Sequence, residues 1–343
     1  MRSMVVRDYL RPLSFILYPS SFILHPLSLI LAPMSCPETI RSSYKTCRRM
    51  VRQAGSNFPA AFLLLPAAQH RAMDALYAFM RHSDDLVDDP DPARPAAEAL
   101  TRWRAAVEAA LDCPRRASPP TGLDIPGDPL GAAILPALAH TVRAFSIPQE
   151  HLLAVLEGVA MDLSQRRYAT FEQLQTYCQR VASAVGLACI HVWGFSDPQA
   201  LGPARSAGIA LQLTNILRDL KEDAQRDRVY LPLEDLRRCG YSIDELCRSA
   251  VTPAFHQLIE VESARAEQFY REGYRLLAWL APAGRRIFGM ITATYHALLE
   301  EIRRRPGEVF VRRVRVGWPK KLAIAARWTF LPPAASPQRT TDH

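Results

Sequence analysis

The chain has 343 residues, of which 49% are hydrophobic and 22% are charged, and its formal net charge is +8. The hydrophobic content excludes an intrinsically disordered chain and is sufficient for a large buried core. The positive charge suits an anionic partner, such as a phosphorylated substrate, an anionic membrane surface or nucleic acid. Because no Cys-rich finger or aromatic RNA-binding motif accompanies this charge, we do not expect nucleic-acid binding.

The N-terminal region contains an apolar seven-residue repeat over residues 12–32, marked by Pro12, Pro19, Pro26 and Pro33. A secretory signal or a membrane-spanning helix needs an uninterrupted apolar stretch, and proline at every seventh position interrupts it. We therefore expect residues 1–35 to be a disordered or non-native extension, with Met34 as an alternative start.

The number and spacing of the cysteines indicate whether the protein works in a reducing or an oxidising compartment. There are seven of them, scattered along the chain and never spaced C-x-x-C. This pattern is typical of reduced thiols rather than of a disulfide framework or a zinc site. We expect a cytoplasmic protein.

From about residue 38 onward the pattern is helical, because apolar residues recur at spacings of three and four. The first clear helix covers residues 66–89 and stops at Asp89-Pro90, since proline cannot continue a helix. Residues 113–136 contain six prolines and predict a loop between helices.

The second half of the chain predicts further helices. Thr170 and Gln173 form a capping-box signature for a helix that runs towards Gly194. Other helices are predicted over residues 203–226, 232–248, 253–280 and 284–304. We expect one helical domain over residues 36–331 and a disordered tail over residues 332–343.

An acidic motif lies at the C-terminal end of the helix predicted over residues 66–89. Residues three and four apart share a helix face, so Arg81, Asp84 and Asp88 lie in one stripe with Tyr77. Two carboxylates at i and i+4 can hold one Mg²⁺, which takes one or two carboxylates and completes its shell with water and phosphate oxygens. The alternative is a solvated acidic helix end before the proline.

A polar stripe crosses the predicted helix over residues 203–226, formed by Gln212, Asn215, Asp219 and Asp223. The other positions are largely apolar, so these polar groups would be costly in the interior unless they are satisfied. Metal ions and a diphosphate would satisfy them. The alternative is an internal hydrogen-bond or salt-bridge network.

The two motifs together are more specific than either motif alone. Two acidic stripes on separate helices can face each other across a bundle and clamp divalent ions that neutralise a diphosphate leaving group. Arg81, Arg218 and Arg228 flank the stripes, and guanidinium groups bind phosphate oxygens in a bidentate manner. The alternative for these arginines is pairing with nearby acids.

These residues resemble the motifs of the squalene/phytoene synthase family. The resemblance covers roughly residues 42–328, in the order of the family, and includes Ser56-Asn-Phe58, Tyr77 to Asp89, Tyr168 to Gly186 and Leu211 to Pro232. Within the family the chain looks most like bacterial presqualene diphosphate synthases, with phytoene synthases next. The resemblance implies an all-α, isoprenoid-synthase-type helical bundle with a central active-site cavity.

The resemblance also implies roles for individual residues. The residues implied as Mg²⁺ ligands are Asp84, Asp88, Asn215, Asp219 and Asp223. The residues implied as diphosphate contacts are Arg81, Arg218 and Arg228, with Ser56 and Phe58 in the segment that closes over the substrate. The residues implied to line the reaction cavity are Tyr77, Tyr177, Gln212 and Tyr295.

From this resemblance we expect an Mg²⁺-dependent prenyltransferase. It would condense two farnesyl diphosphates head-to-head to presqualene diphosphate, a precursor of squalene and hopanoids, with release of diphosphate. Two or three Mg²⁺ ions are implied, and NADPH is not expected for this first half-reaction. The alternatives are phytoene synthesis from two geranylgeranyl diphosphates and, in another class, an inactive helical scaffold that binds acidic partners.

The C-terminal part is rich in arginine and lysine between residues 303 and 327, with Trp318, Trp328 and Phe330 interleaved. Such a segment predicts peripheral contact with an anionic membrane, which would place the protein at the inner face of the membrane. The alternative is a solvated basic face.

Overall fold

The structure, a computed structural model, describes residues 38–53, 61–92, 94–112 and 125–330. The predicted extension over residues 1–35, the residues Ser56 and Phe58, and the predicted tail over residues 332–343 lie outside the described residues. These expectations, and that of a single domain, therefore stay predictions.

The predicted all-α class is confirmed. Within the described residues, β pairing is limited to two isolated bridges, Arg167 with Val229 and Phe195 with Leu280. None of the helices in the described ranges combines the length and the hydropathy that a membrane crossing requires. The α-helices are α1 Glu38–Gln53, α2 Ala67–Asp88, α3 Ala96–Leu111, α4 Pro129–Ala144, α5 Gln149–Ser164, α6 Phe171–Cys178, α7 Ala184–Trp193, α8 Leu201–Arg218, α9 Leu220–Gln225, α10 Leu233–Cys239, α11 Ile243–Cys247, α12 Pro253–Tyr274, α13 Pro282–Arg304, α14 Glu308–Val311 and α15 Trp318–Phe330.

Local sequence signals set several helix boundaries. The Asp128 side chain accepts a hydrogen bond from a backbone N–H in the first turn of α4, and Pro129 occupies a position that needs no N–H donor. Thr252 and Pro253 begin α12 in the same way. Gly194 ends α7 at a φ of +84°, which favours a residue without a Cβ. As predicted, α2 ends just before Pro90.

Three predicted spans were wrong. The helix predicted over residues 232–248 is divided into α10 and α11, because Gly240 adopts a left-handed conformation after Cys239. The loop predicted over residues 113–136 ends earlier, because the cap at Asp128 starts α4, which contains Pro136 in its interior. The helix predicted over residues 203–226 breaks at Asp219, whose φ of −103° and ψ of 14° separate α8 from α9. This break lies within the second acidic motif.

The helix predicted to run towards Gly194 exists, with a π-helical turn at Gln179–Ser183 between α6 and α7. Its N-terminus differs from a capping box. The Gln173 side chain accepts the backbone N–H of Ala169 at 2.8 Å, and the Thr170 side chain makes no capping bond.

The core consists of two hydrophobic clusters joined by α8. The first cluster is built mainly from α1–α5 and α7, and the second mainly from α6, α10, α12 and α13. Ala204 and Ala207 of α8 belong to the first cluster, and Ile209 and Leu213 belong to the second. Because α8 also packs along α12, it forms the central element on which the second polar stripe is displayed.

Candidate active site

Residues of both hydrophobic clusters line a cavity of about 620 Å³. One end is polar and includes Asp84 of α2, the α8 residues Asn215 and Arg218, and Tyr295 of α13. The predicted cavity residues Tyr77 and Gln212 also line it.

The other end of the cavity is apolar. Met73 of α2, Ala204 of α8 and Phe288 of α13 line it together with Trp193. Met73 precedes Asp84 by eleven residues on α2, and the helical rise of about 1.5 Å per residue separates them by about 16 Å. The cavity is therefore elongated, with charged groups at one end and an apolar wall at the other.

Asp84 belongs to the polar end and is exposed to the cavity, yet protein encloses its carboxylate on the other sides. This desolvation is the largest cause that raises the pKa of Asp84 to about 7. The negative charges of Asp88, Asp162 and Asp85 raise it further, and Arg81 acts in the opposite direction.

The second motif has a matching carboxyl group. Burial raises the pKa of Asp223 to about 7, and Asp219 and Asp162 add to the rise. The charge of Asp162 therefore acts on Asp84 in the first motif and on Asp223 in the second. The two motifs thus face a common acidic neighbour.

Arg228 connects the two motifs. Its Nη1 donates to Oδ1 of Asp88 at 2.7 Å, and its positive charge lowers the pKa of Asp223. Arg226, which the sequence analysis did not single out, also pairs with Asp88 at 3.0 Å. Both arginines lie in the segment after α9. In the folded protein this segment therefore contacts the C-terminal end of α2.

Asp162 of α5 is a central residue of the site that sequence reasoning missed. Its carboxylate accepts hydrogen bonds from the hydroxyls of Tyr177 at 3.0 Å and Tyr230 at 2.8 Å. The ring of Tyr230 stacks on Tyr177 with centroids 5.1 Å apart and on Tyr168 at 5.9 Å. Asp162 has no acidic residue three or four positions away, so no periodic signal marks it.

The predicted diphosphate contacts are engaged by carboxylates of the site. Arg81 lines the cavity and pairs with Asp85, with Nε 3.0 Å from Oδ2. Arg218 Nε donates to Oδ1 of the adjacent Asp219 at 2.7 Å and also bonds to Tyr295. An entering diphosphate would take the place of these carboxylates or share the guanidinium groups with them.

The amide pair of α8 has an unsatisfied acceptor. Asn215 Nδ2 lies 3.4 Å from Gln212 Oε1, while the buried Asn215 Oδ1 has no hydrogen-bond partner in the part of the chain that the structure describes. A buried acceptor without a partner is rare in folded proteins and marks a place where an ion or a donor can bind. Asp219 of the same stripe pairs with Arg218 and Arg313, so the stripe combines ion pairs with an unsatisfied amide, and both interpretations of it stay predictions.

Not every predicted residue lines the cavity. Tyr77 does, with its ring edge-to-face on Phe62 at a centroid distance of 6.4 Å. Tyr177 is not among the cavity-lining residues of the described structure and reaches the site through Asp162 instead. Asp88, Asp219 and Asp223 likewise lie beyond the cavity wall, next to the arginines that pair with Asp88 and Asp219.

Part of the basic C-terminal segment faces the site rather than the surface. Arg313, Arg315 and Lys321 line the cavity, and Arg313 Nη2 donates to Oδ2 of Asp219 at 3.4 Å. These three residues belong to the basic segment for which the sequence predicts a membrane contact or a solvated face. Because residues 313–316 lie about 90 residues after Asp219 in the sequence, their place at the cavity is a property of the fold alone.

The donor set fits Mg²⁺. The described residues hold no group of three or more His, Cys, Asp or Glu side chains arranged to bind a metal ion by themselves. Mg²⁺ needs no such cage, because it takes one or two carboxylates and completes its shell with water and phosphate oxygens. The residues that would hold it are Asp84, Asp88, Asp219 and Asp223, with the unpartnered Oδ1 of Asn215.

The fold and the cavity define a class of α-helical proteins in which acidic helices meet at one end of an apolar chamber. The squalene/phytoene synthase family profile matches residues 51–320, and the chain belongs to this family. Members of the family are prenyltransferases, so the chain is an enzyme of this type that acts on prenyl diphosphates.

Two relatives illustrate the likeness in sequence. The phytoene synthase of Arthrospira platensis is 33% identical over 302 residues, which cover 84% of this chain and 93% of the relative. The 15-cis-phytoene synthase of a Synechocystis species is 32% identical over 296 residues, which cover 83% of each chain.

Solved structures show the same fold. The squalene synthase HpnC from Alicyclobacillus acidocaldarius is 27% identical, with a TM-score of 0.69 over 79% of this chain and 97% of that chain. A dehydrosqualene synthase in complex with a ligand is 24% identical, with a TM-score of 0.74 over 85% and 96% of the two chains.

Proposed function

We propose that the protein condenses two farnesyl diphosphates head-to-head to presqualene diphosphate. The observation that carries the proposal is the elongated cavity, whose polar end holds Asp84, Asn215 and Arg218. A diphosphate fits the charged end, and a prenyl chain fits the apolar wall. Membership of the family supports prenyl transfer, and the farnesyl chain length is our own inference.

The apolar end favours the shorter chain. Trp193 and Phe288 lie there with ring centroids 6.4 Å apart, and both side chains are almost fully buried. They pack tightly in the first hydrophobic cluster, so a longer prenyl chain would have to displace an aromatic ring. We infer that these two rings limit the substrate to the farnesyl class.

The residues of the site have separate tasks in this reaction. Arg81, Arg218 and Arg228 bind the diphosphate that leaves with the electron pair of the broken C1–O bond. The resulting allylic cation is attacked by the 2,3 double bond of the second substrate, and loss of a proton closes the cyclopropane ring. The faces of Tyr77 and Tyr295 stabilise the positive charge, and the apolar wall excludes water.

Mg²⁺, when bound by the two acidic motifs, supplies charge neutralisation for the departing diphosphate. We propose that two or three ions bind together with substrate and that this half-reaction uses no NADPH. Nucleic acid is not a partner in this proposal.

Phytoene synthesis from two geranylgeranyl diphosphates is the second candidate. It is favoured by the relatives, because the phytoene synthases of Arthrospira platensis and Synechocystis are more than 30% identical to this chain over most of its length.

Product analysis separates the two candidates. Purified protein is incubated with Mg²⁺ and either farnesyl or geranylgeranyl diphosphate, with and without NADPH, and products are identified by mass spectrometry. We expect presqualene diphosphate from farnesyl diphosphate, with or without NADPH. Phytoene from geranylgeranyl diphosphate as the main product would contradict the farnesyl assignment.

A substitution at the apolar end tests the physical reason for the assignment. Trp193→Ala opens the end of the cavity, so we expect kcat/KM for geranylgeranyl diphosphate to rise relative to farnesyl diphosphate. Trp279→Ala is the matched control, since Trp279 packs on the first cluster without lining the cavity. An unchanged ratio in the Trp193 variant would show that this ring does not set chain length.

A further inference from the structure

Helix α15 presents an apolar stripe on the outside of the protein. Trp318, Leu322 and Phe330 are 73%, 59% and 78% exposed, and they share a helix face with the exposed Ala326 because they recur at a spacing of four. On the other side of the helix, Trp328 is buried. Large exposed apolar side chains that form a contiguous patch mark interaction sites.

The orientation of this stripe is fixed by packing. A Cβ built on Gly289 of α13 would lie 2.1 Å from the Trp328 ring, so the indole lies directly against the α13 backbone. Helix α15 also makes extensive contacts with α13. The inner face of α15 is therefore held in place, and Trp318, Leu322 and Phe330 point outward as a consequence.

The surroundings of the stripe are cationic. Residues 309–330 contain six Lys and Arg residues and no Asp or Glu. Lys320 and Arg312 pair with acids of neighbouring helices at 2.8 Å, whereas Arg315 and Arg327 form no ion pair within the described residues. Arg315 lines the cavity, so Arg327 supplies the uncompensated positive charge beside the apolar side chains.

The same segment forms part of the cavity wall. Val314, Val316 and Lys321 line the cavity, while Trp318 and Leu322, their near neighbours in the chain, face outward. The exposed stripe therefore adjoins the chamber that accommodates an apolar chain.

We propose that α15 docks this protein onto an anionic lipid bilayer. Trp318, Leu322 and Phe330 enter the boundary between headgroups and acyl chains, and the exposed Arg327 contacts a lipid phosphate. This is the geometry of an amphipathic helix that lies in the membrane interface, where tryptophan is favoured and basic residues attract anionic lipid. A second copy of the chain is a poor occupant, because it would bring two cationic faces together.

Vesicle co-sedimentation tests the proposal independently of prenyl transfer, because it does not depend on turnover. The full chain is mixed with phosphatidylcholine vesicles with or without phosphatidylglycerol. We expect binding to the anionic vesicles that falls as salt is added. Equal binding to both vesicle types, or no binding to either, would overturn the proposal.

Two variants locate the contact. Trp318→Ser/Leu322→Ser should weaken binding to anionic vesicles by at least about tenfold, because two large apolar side chains no longer leave water. Arg327→Gln should weaken it by about fivefold. The matched control is Leu130→Ser/Val251→Ser, which replaces two other exposed apolar residues and should bind like the wild type.

Two further readouts distinguish membrane docking from other roles of the apolar stripe on α15. Circular dichroism and turnover with detergent-dispersed substrate should be unchanged in the Trp318/Leu322 variant. Light scattering should show the same mass for variant and wild type. A change from dimer to monomer in the variant, or wild-type vesicle binding by it, would overturn the proposal in favour of a self-association face.

Discussion

At the scale of single residues, Asp84 and Asp223 are the carboxyl groups with the most informative environment. Burial and neighbouring acids raise the pKa of each to about 7, although the two residues lie on different helices. A folded protein that concentrates like charges in this way is destabilised unless cations enter. The same property that makes the site suitable for Mg²⁺ therefore predicts a pH dependence for the metal-free protein.

We predict that these two groups make the metal-free protein less stable as pH rises towards neutrality. In the unfolded chain both carboxyls lose their protons near pH 4, whereas in the folded state they keep them up to about pH 7. The folded state binds more protons between these values, so the stabilisation is complete below about pH 4 and is lost as pH rises through about 7.

Urea unfolding at several pH values between about 4 and 8 measures this effect. The urea midpoint of the wild type should fall with pH more steeply than that of Asp84→Asn/Asp223→Asn, in which the two groups do not titrate. Parallel pH profiles of the urea midpoint for wild type and variant would disprove the predicted pH dependence.

We predict that Asp219→Asn lowers kcat by about 10² to 10³ without changing the helical circular dichroism spectrum, because a charge that stabilises the transition state is lost. Asp244→Asn is the control, since Asp244 is exposed on α11, which does not line the cavity. Wild-type turnover in the Asp219 variant would remove this residue from the mechanism.

At the scale of elements, α8 determines how the site is assembled. Its N-terminal half packs in the first hydrophobic cluster, its C-terminal half packs in the second, and its polar residues Gln212 and Asn215 line the cavity. Gly208 allows the close approach that this position requires, because a Cβ there would lie 2.6 Å from the Cα of Ser183 in the π-helical turn. The stripe is therefore positioned by a backbone contact as well as by side chains.

Opposite effects are predicted for the same substitution at two positions of α8. Gly208→Ala should lower the free energy of unfolding by about 1–3 kcal/mol, because the methyl group meets backbone atoms that cannot move away easily. A Cβ on Gly202 would have no atom within 4 Å. Gly202→Ala should therefore raise the free energy of unfolding by up to about 1 kcal/mol through helix propensity. Urea denaturation measures both, and equal effects at the two positions would refute the packing argument.

At the scale of the whole molecule, the fold brings α2, α5, α8 and the segments after α9 and α14 to one end of the cavity. The carboxylates there repel one another, and the arginines offset this repulsion only in part. The site is complete only when a diphosphate and its cations bind together.

We therefore predict a synergy in ligand stabilisation. Mg²⁺ with a non-hydrolysable farnesyl diphosphate analogue, at about 100 times Kd, should stabilise the fold by about 2.7 kcal/mol, whereas either ligand alone should give a much smaller shift. Thermal unfolding monitored by circular dichroism measures the effect, with Asp219→Asn as the control that should lose most of it. Absence of any shift would instead favour an inactive scaffold.

The sequence by itself determined the local features of this protein. The spacing of apolar residues predicted the helices, Pro90 predicted the end of α2, and the three- and four-residue spacings predicted two polar faces with Asp84 and Asn215. Helical periodicity is a local property, so a single sequence carries it.

Only the tertiary structure decided which distant residues meet. Asp162 lies between the two motifs, Arg228 reaches Asp88, and Arg313 turns inward to Asp219. The helix break at Asp219 and the outward face of Trp318 also follow from packing. Contacts between residues far apart in the chain depend on how whole helices pack, and no pattern within either segment records them.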